Sequence, residues 1–382
     1  MSEKPTARLE EHFARLTDPR VERTREHKLL DIVMIAICAV ICGADGWTDL
    51  EEFGKTKRAW LQTFLELPSG IPSHDTFGRV FARLNPQEFE QCFREWVQAV
   101  HDLTQGQVVA LDGKTLRRSH DRPRGQHALQ LVSAWASANH LVLGQRKVEE
   151  PSNEITAIPA LLQVLDVAGC LVTIDALGCQ KEIAAQVVEQ GGEYLLSLKE
   201  NQEHLYQDVQ ALFVWAQAHQ FQGLQHDTHQ TVNKGHGRIE KRRCWTLSDP
   251  SCLQMLPDRA EWKHLRTVVM VCAERQLNGQ TTVKTRYYLS SLGGETAGTA
   301  RTALAAIRRH WTIENQLHWV LDIAFREDDS RIRTAHAPEN FAVLRRIALN
   351  RLAREKTARI GIKAKRLKAA WSEHYLLKVL AG

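Results

Sequence analysis

Long hydrophobic runs are missing from this chain. The most apolar stretch, Leu29 to Ala44, contains Asp31 and falls short of the roughly 20 residues needed to cross a bilayer. It reads as a buried helix, and no membrane partner is expected. The opening Met-Ser-Glu-Lys-Pro has no apolar core behind its charges, so no signal peptide is expected either. A clustered cysteine framework is also absent. The eight cysteines are scattered, and Cys38, Cys42, Cys170 and Cys179 lie in or beside apolar stretches, where a thiol behaves as a small buried side chain. That usage predicts a reducing, cytoplasmic setting. Only His226 and His229 have a ligand-like interval, and no cysteine pair accompanies them, which argues against structural zinc. No internal repeat or low-complexity tract is present.

What is there is an ordinary globular composition in a chain of 382 residues, longer than a single core usually grows, so two or three domains are expected. The net charge of +5 is uneven: Arg331 to Gly382 carries 13 Lys or Arg against Glu339, Glu355 and Glu373. That segment is therefore +10, leaving −5 for the rest of the +5 total. Such a basic stretch suits a polyanion, because each neutralised phosphate releases counterions. A solvated helical face is the plainer reading of a charge run taken alone.

The first hundred or so residues have helical apolar spacing through Leu29 to Cys42, Trp60 to Leu65 and Phe89 to Val97. Ser73 is a predicted N-cap for a helix over Thr76 to Leu84. Lys55, Lys57, Arg58, Arg79 and Arg83 flank short helices, which fits a DNA-contacting helix-turn-helix less well than a plain bundle. From Gln107 the pattern turns to strands: Val108 to Asp112, Leu129 to Ser137 and His140 to Val148. A helix over Thr156 to Val167, a strand over Cys170 to Asp175, a helix over Gln180 to Gln190 and a strand over Glu193 to Leu198 follow. The order βββαβαβ describes a mixed α/β sheet covered by helices, the order of a ribonuclease H-like core. Beyond a helix ending near His219, Val268 to Arg275 and Thr282 to Ser290 flank Asn278-Gly279 as a hairpin. This β-rich stretch separates the sheet from a helix over Thr299 to Phe325. A basic helical segment then runs from Asn340 to Leu377, with a break at Gly361.

Asp112 and Asp175 each end a short apolar strand and precede a small residue. Ligands gather beyond strand ends in such sheets, so two aspartates there can share a cation. Either one alone reads more simply as a turn cap. Gly113-Lys114-Thr115 imitates the end of a phosphate loop, but that motif needs glycine at position 108, where this chain has Val108. A nucleotide-binding loop is thereby excluded, and Lys114, Arg117 and Arg118 remain as a basic turn beside Asp112. Glu314 shares a helical stripe with Trp311, Leu317, His318 and Leu321, in which Trp311 and Trp319 read as core. Asp322 and the trio Glu327, Asp328 and Asp329 compete with Glu314 as a third acid, and spacing does not choose among them.

In combination and order, Ile71-Pro-Ser-His-Asp-Thr-Phe-Gly-Arg-Val-Phe81, Leu111-Asp-Gly-Lys-Thr-Leu-Arg117, Thr173-Ile-Asp-Ala176, Leu198-Lys-Glu-Asn-Gln202, Gly235-His-Gly-Arg-Ile-Glu240 and His310-Trp-Thr-Ile-Glu-Asn315 with Leu317-His-Trp-Val-Leu-Asp322 resemble the DDE transposases of bacterial insertion sequences. The likeness is to their ISAs-type, H-repeat-associated branch, and it runs over nearly the whole chain. It implies a ribonuclease H-like catalytic domain in residues 103–220 and 295–330, a β-rich insertion in 221–294, an N-terminal helical, transposase-associated domain in 1–102 and a basic helical segment in 331–382. It carries the catalytic, metal-binding triad onto Asp112, Asp175 and Glu314, with two Mg²⁺ ions for which Mn²⁺ substitutes. Lys114, Arg117, Lys199, Asn201, His236, Arg238 and His310 become candidate DNA contacts. The implied activity is cleavage at element ends and strand transfer into target DNA by a cytoplasmic, nucleoid-associated homodimer on double-stranded DNA. A structure-selective nuclease without strand transfer, or an inactive DNA-binding relic or repressor, is the alternative. The chain departs from the wider superfamily in one signature: Ile307, His310 and Leu321 stand where Tyr, Arg and Lys are common around the glutamate.

Overall fold

A computed structural model describes residues 7–100, 106–121, 125, 127–149, 153–235, 237–294 and 297–381. The first five strands are β1 (Val108–Thr115), β2 (Gln130–Ala136), β3 (Leu141–Lys147), β4 (Leu171–Ile174) and β5 (Glu193–Leu198). Four long ones follow: β6 (His226–Gly235), β7 (Arg238–Leu247), β8 (Thr267–Leu277) and β9 (Gln280–Ser290). All nine form one sheet in the order β3-β2-β1-β4-β5-β9-β8-β7-β6. The pairs β1/β4 and β4/β5 are parallel, and the others are antiparallel. Central strands covered on both faces need continuous apolar runs. Val108 to Leu111 and Leu171 to Ile174 supply them, apart from a buried Thr173.

The predicted hairpin is present: β8 and β9 pair up to Leu277 and Gln280 around Asn278-Gly279. Both turn residues have positive φ, 50° and 77°, the conformation a two-residue hairpin turn requires. The β-rich stretch set apart by sequence does not form a separate sheet, however. β9 pairs with β5 from Leu195↔Ser290 to Leu198↔Tyr287, so the inserted strands close an edge that β5 would otherwise leave open.

A helix at Thr299–His310 lies across this junction and touches strands on both sides of it. Its Ala300, Ala303, Leu304 and Ile307 pack with Val108, Leu171, Leu195, Val269, Val271 and Tyr288. On the opposite side, Leu29–Ile41 is a helix buried at nearly every position. The Ala337–Arg354 helix joins it there. Asn340 donates to Phe81 O at 2.8 Å and Leu84 O at 2.9 Å, while Asn350 donates to Val142 O at 2.9 Å. The last helices thus tie the N-terminal bundle to the sheet edge.

Of the 13 cations in the basic C-terminal segment, Arg345, Arg346, Arg351, Lys365 and Arg366 are buried, while the others are exposed or half-exposed. The buried five are neither a polyanion surface nor a solvated face. Arg366 donates to Val40 O at 2.8 Å and lies 4.2 Å over Phe325, and Lys365 donates to Leu352 O at 2.8 Å. Buried carbonyls and an aromatic face replace the water these cations have lost. Among the described residues, no helix is long and apolar enough to cross a membrane.

Candidate active site

The parallel register pairs Leu111 with Ile174. Asp112 and Asp175 are the next residues along these two adjacent segments, and neighbouring strands run about 4.8 Å apart. Side chains alternate between faces, which puts Asp112 and Lys114 on one face of β1 and Thr173 and Asp175 on the same face of the sheet. The Asp175 turn is braced: Leu177 N donates to Asp175 Oδ1 at 3.0 Å, and Asn201 Nδ2 donates to Ala176 O at 2.7 Å.

Glu314 arrives from a different direction. The helix expected over Thr299 to Phe325 is present, with a π-helical turn at Ile313–His318 between the α-helices at Thr299–His310 and Trp319–Phe325. Such wide turns cluster at functional sites. Trp311 and Trp319, assigned to the core by default, are 49% and 59% exposed on either side of this one. Asp112, Asp175, Lys199, Arg286, His310 and Glu314 all line one cavity of about 300 Å³.

Burial, followed by the charges of Asp175, Glu154 and Glu314, pushes the Asp112 carboxyl up to about 7. Two further neighbours in this cluster are not singled out by sequence. Glu154 opens the helix after β3 and accepts from Gln130 at 2.8 Å, where a helix-terminal acid looks ordinary. A Cβ on Gly113 would lie 2.0 Å from Glu154 Oε1, so glycine lets that carboxylate approach β1. His318 reads from spacing only as part of an apolar stripe. Its Nδ1 lies 3.2 Å from Glu314 Oε2 and 3.5 Å from Asp112 Oδ2. Asp112, Glu314 and His318 are the one group of potential metal ligands found close together among the described residues, with ligand atoms within 4.8 Å. Asp175 lies outside that closest set while sharing the cavity. Burial holds the His318 imidazole down to about 4 despite the pull of Glu314, so the ring is neutral at pH 7.

The competing acids are engaged elsewhere. Asp322 pairs with Lys114, Arg117 Nε lies 3.2 Å from Asp328 Oδ2, and Arg118 Nη1 lies 3.2 Å from Asp329 Oδ1. Glu327 is wholly buried against Arg346.

The same pairs revise the candidate DNA contacts. Lys114 is 8% exposed and ion-paired, so it braces the site and does not present a free cation to a phosphate. Arg117 remains 83% exposed. His310 is half-buried, with Nδ1 3.0 Å from Thr173 Oγ1, and burial lowers its pKa, so that nitrogen is engaged with β4. Asn201 is occupied by Ala176 O. Arg238 Nε lies 3.0 Å from Glu240 Oε1 at the outer end of the β6–β7 hairpin. Lys199 is exposed at the cavity wall without a carboxylate partner among the described residues. His236 lies outside the described residues.

Comparison with known proteins adds a family. Residues 10–97 match the "DDE_Tnp_1-associated" family and residues 103–351 match the "Transposase DDE domain" family. The chain is 40% identical over 381 residues to the "H repeat-associated putative transposase YhhI" of Escherichia coli K12, covering 98% of each. It is 46% identical over 283 residues to the "Uncharacterized protein in dhlA 3'region" of Xanthobacter autotrophicus, covering 73% of this chain and 92% of that one. Among solved structures, a piggyBac transposase synaptic complex with hairpin DNA aligns at a TM-score of 0.40 and 10% identity, over 99% of this chain and 78% of that one.

Proposed function

Because the chain belongs to the transposase DDE domain family, we propose that it cuts DNA at the ends of an insertion sequence and joins the freed 3′ ends to target DNA. The observation that carries this reading is the convergence of Asp112, Asp175 and Glu314 on one cavity: Asp112 from within β1, which runs on to Thr115 and does not end at Asp112 as expected, Asp175 from just past the end of β4, and Glu314 from a π-helical turn. The β3-β2-β1-β4-β5 half of the sheet, antiparallel and then parallel, supports a ribonuclease H-like catalytic domain.

Asp112, Asp175 and Glu314 are the proposed holders of two divalent cations, Mg²⁺ or Mn²⁺. The fit rests on three carboxylates lining one cavity, oxygen ligands suited to hard cations, in a setting where burial first, and then the charges of Asp175, Glu154 and Glu314, push the Asp112 carboxyl up to about 7. When bound, such ions make water a nucleophile and stabilise a departing 3′ oxygen. His318 steadies Glu314 through its Nδ1, and Asn201 holds the turn that presents Asp175. Attack by water on a phosphodiester leaves a 3′-hydroxyl and a 5′-phosphate. Attack by that hydroxyl on a target phosphodiester exchanges one ester for another, so no covalent protein intermediate is needed. Two ends must be processed together, which favours a homodimer on DNA.

The test is incubation of the purified chain and Mg²⁺ with labelled duplexes taken from the DNA bordering its gene, together with a plasmid target. Joined product is expected. Cutting without joining would favour a structure-selective nuclease, and a salt-sensitive shift without chemistry would favour an inactive DNA-binding relic. Asp112→Ala or Glu314→Gln should abolish cleavage while leaving DNA binding; undiminished cleavage would remove the triad.

A further inference from the structure

Arg286 and Trp311 line the carboxylate cavity and also a second, larger cavity of about 560 Å³ that opens beside it. The two are therefore one continuous trough. Its floor is the outer part of β7, β8 and β9. Alternate residues of β9 share a face, so Tyr288, Arg286, Lys284 and Thr282 form a row with about 6.8 Å between successive members. Val271, Ala273 and Arg275 stand opposite on β8. The inner end of this face is sealed by the Thr299–His310 helix through Tyr288 and Val271, and the outer end is open.

The charges in this trough are unbalanced. Arg275, Lys284, Arg286 and Arg308 line it without a carboxylate partner among the described residues. Glu240 also lines it but is already paired with Arg238 and Arg242, and the remaining carboxylate, Glu274, which accepts from Gln276 at 3.1 Å, is outnumbered by these cations. Elsewhere the chain pairs comparable cations, as Lys181 does with Asp258 at 3.0 Å and with Glu261 at 2.6 Å. Four unpaired cations on one concave surface repel one another, and a polyanion relieves that repulsion. The guanidinium of Arg286 sits 5.7 Å from the ring centroid of Trp311, which holds it where the two cavities meet.

Resting on the reading of the carboxylate centre as a DNA-cutting site, we propose that this trough receives the sugar–phosphate backbone of the strand leaving that centre. Arg286 grips the phosphate beside the scissile bond, and Lys284, Arg275 and Arg308 follow the strand outward. Arg286 thereby supplies a cation from β9 beside the glutamate's own helix, where His310 Nδ1 is engaged by Thr173. The inserted strands then have a use beyond closing the sheet edge, since they extend the binding surface of the centre.

The test measures binding of the full chain to a labelled 40-base-pair duplex, without divalent metal, across a salt series. Removing one phosphate-neutralising cation lowers the slope of log affinity against log salt by about 0.9. The double variant Arg286→Glu/Lys284→Glu should therefore lower it by about 2, and Arg286→Gln alone by about 1. Arg286→Lys should keep the slope, and all variants should melt as the parent does. Asp112→Ala should also keep the full slope, so loss of cutting and loss of the trough are read separately. An unchanged slope and affinity in both Arg286→Gln and the double variant overturn the proposal, whether or not the parent cuts DNA.

Discussion

Glu327 accepts a hydrogen bond from Arg346 at 2.7 Å with neither side chain exposed to water. Lys114 Nζ reaches the other oxygen of the same carboxylate at 3.4 Å. Since Lys114 stands two residues beyond Asp112 on β1, this buried contact links the strand that carries a proposed metal ligand to the Ala337–Arg354 helix behind it. Breaking a buried pair by removing one charge strands the other, at a cost of about 3 to 5 kcal/mol. Glu327→Gln should therefore lower unfolding free energy by about that amount, read from urea denaturation. A loss below about 1 kcal/mol, the range of exposed pairs, would show that the contact does not hold the fold.

The same carboxylate sets an acid limit. Burial alone would raise its pKa, but Arg346, Lys114 and Arg345 together hold it down to about 2. A folded pKa below the unfolded value of about 4.3 contributes stability that is fully present above that value. It is lost as pH falls from there toward 2. Thermal melting of the parent chain should drop through this window, and the Glu327→Gln curve should be flatter; parallel curves would remove Glu327 as a source of the acid sensitivity.

Asp112 has the opposite sign. Its folded pKa of about 7 lies above the unfolded value of about 3.9. The metal-free fold therefore loses stability as pH rises through that interval. Removing the charge should relieve this loss: Asp112→Asn, free of metal at pH 8, should melt above the parent, and the gap should close by pH 4. Stabilisation gained by deleting a proposed metal ligand is the usual mark of a site kept for function. A variant melting below the parent at pH 8 would mean that the cluster is not under electrostatic strain.

Much of this was legible in the sequence for a simple reason: period-two and period-3.6 patterns report which faces are buried. Val108 to Leu111 and the Asn278-Gly279 turn each announce a local structure whose tertiary setting agrees with it. Glu314 and His318 were harder to place because a π-helical turn alters the angular step that spacing arguments assume. Trp311 and Trp319, assigned inward by default as aromatics, are exposed on either side of that turn. Arg345, Arg346 and Arg366 misled in the other direction, since a charge is normally a sign of solvent and only tertiary structure supplies Glu327 or a buried carbonyl. Glu154 gave no signal at all. Its approach to Asp112 depends on a glycine at position 113 and on the packing of a helix that begins some forty residues later.

His318 provides the last prediction. Its Nδ1 contacts Glu314 and Asp112, while its buried Nε2 has no hydrogen-bond partner. A ring kept for packing alone would not leave that nitrogen unpaired, since burying an unsatisfied polar atom costs about 1 to 3 kcal/mol. Holding the two carboxylates in place accounts for its retention. Removing a residue that orients metal ligands weakens metal affinity by about 10- to 100-fold. His318→Leu should shift the Mg²⁺ or Mn²⁺ dependence of DNA cleavage upward by about that factor. The salt dependence of DNA binding should stay the same, and the melting temperature without metal should not fall. A metal titration that superimposes on the parent's would leave His318 as a core residue and restrict the proposed centre to its three acids.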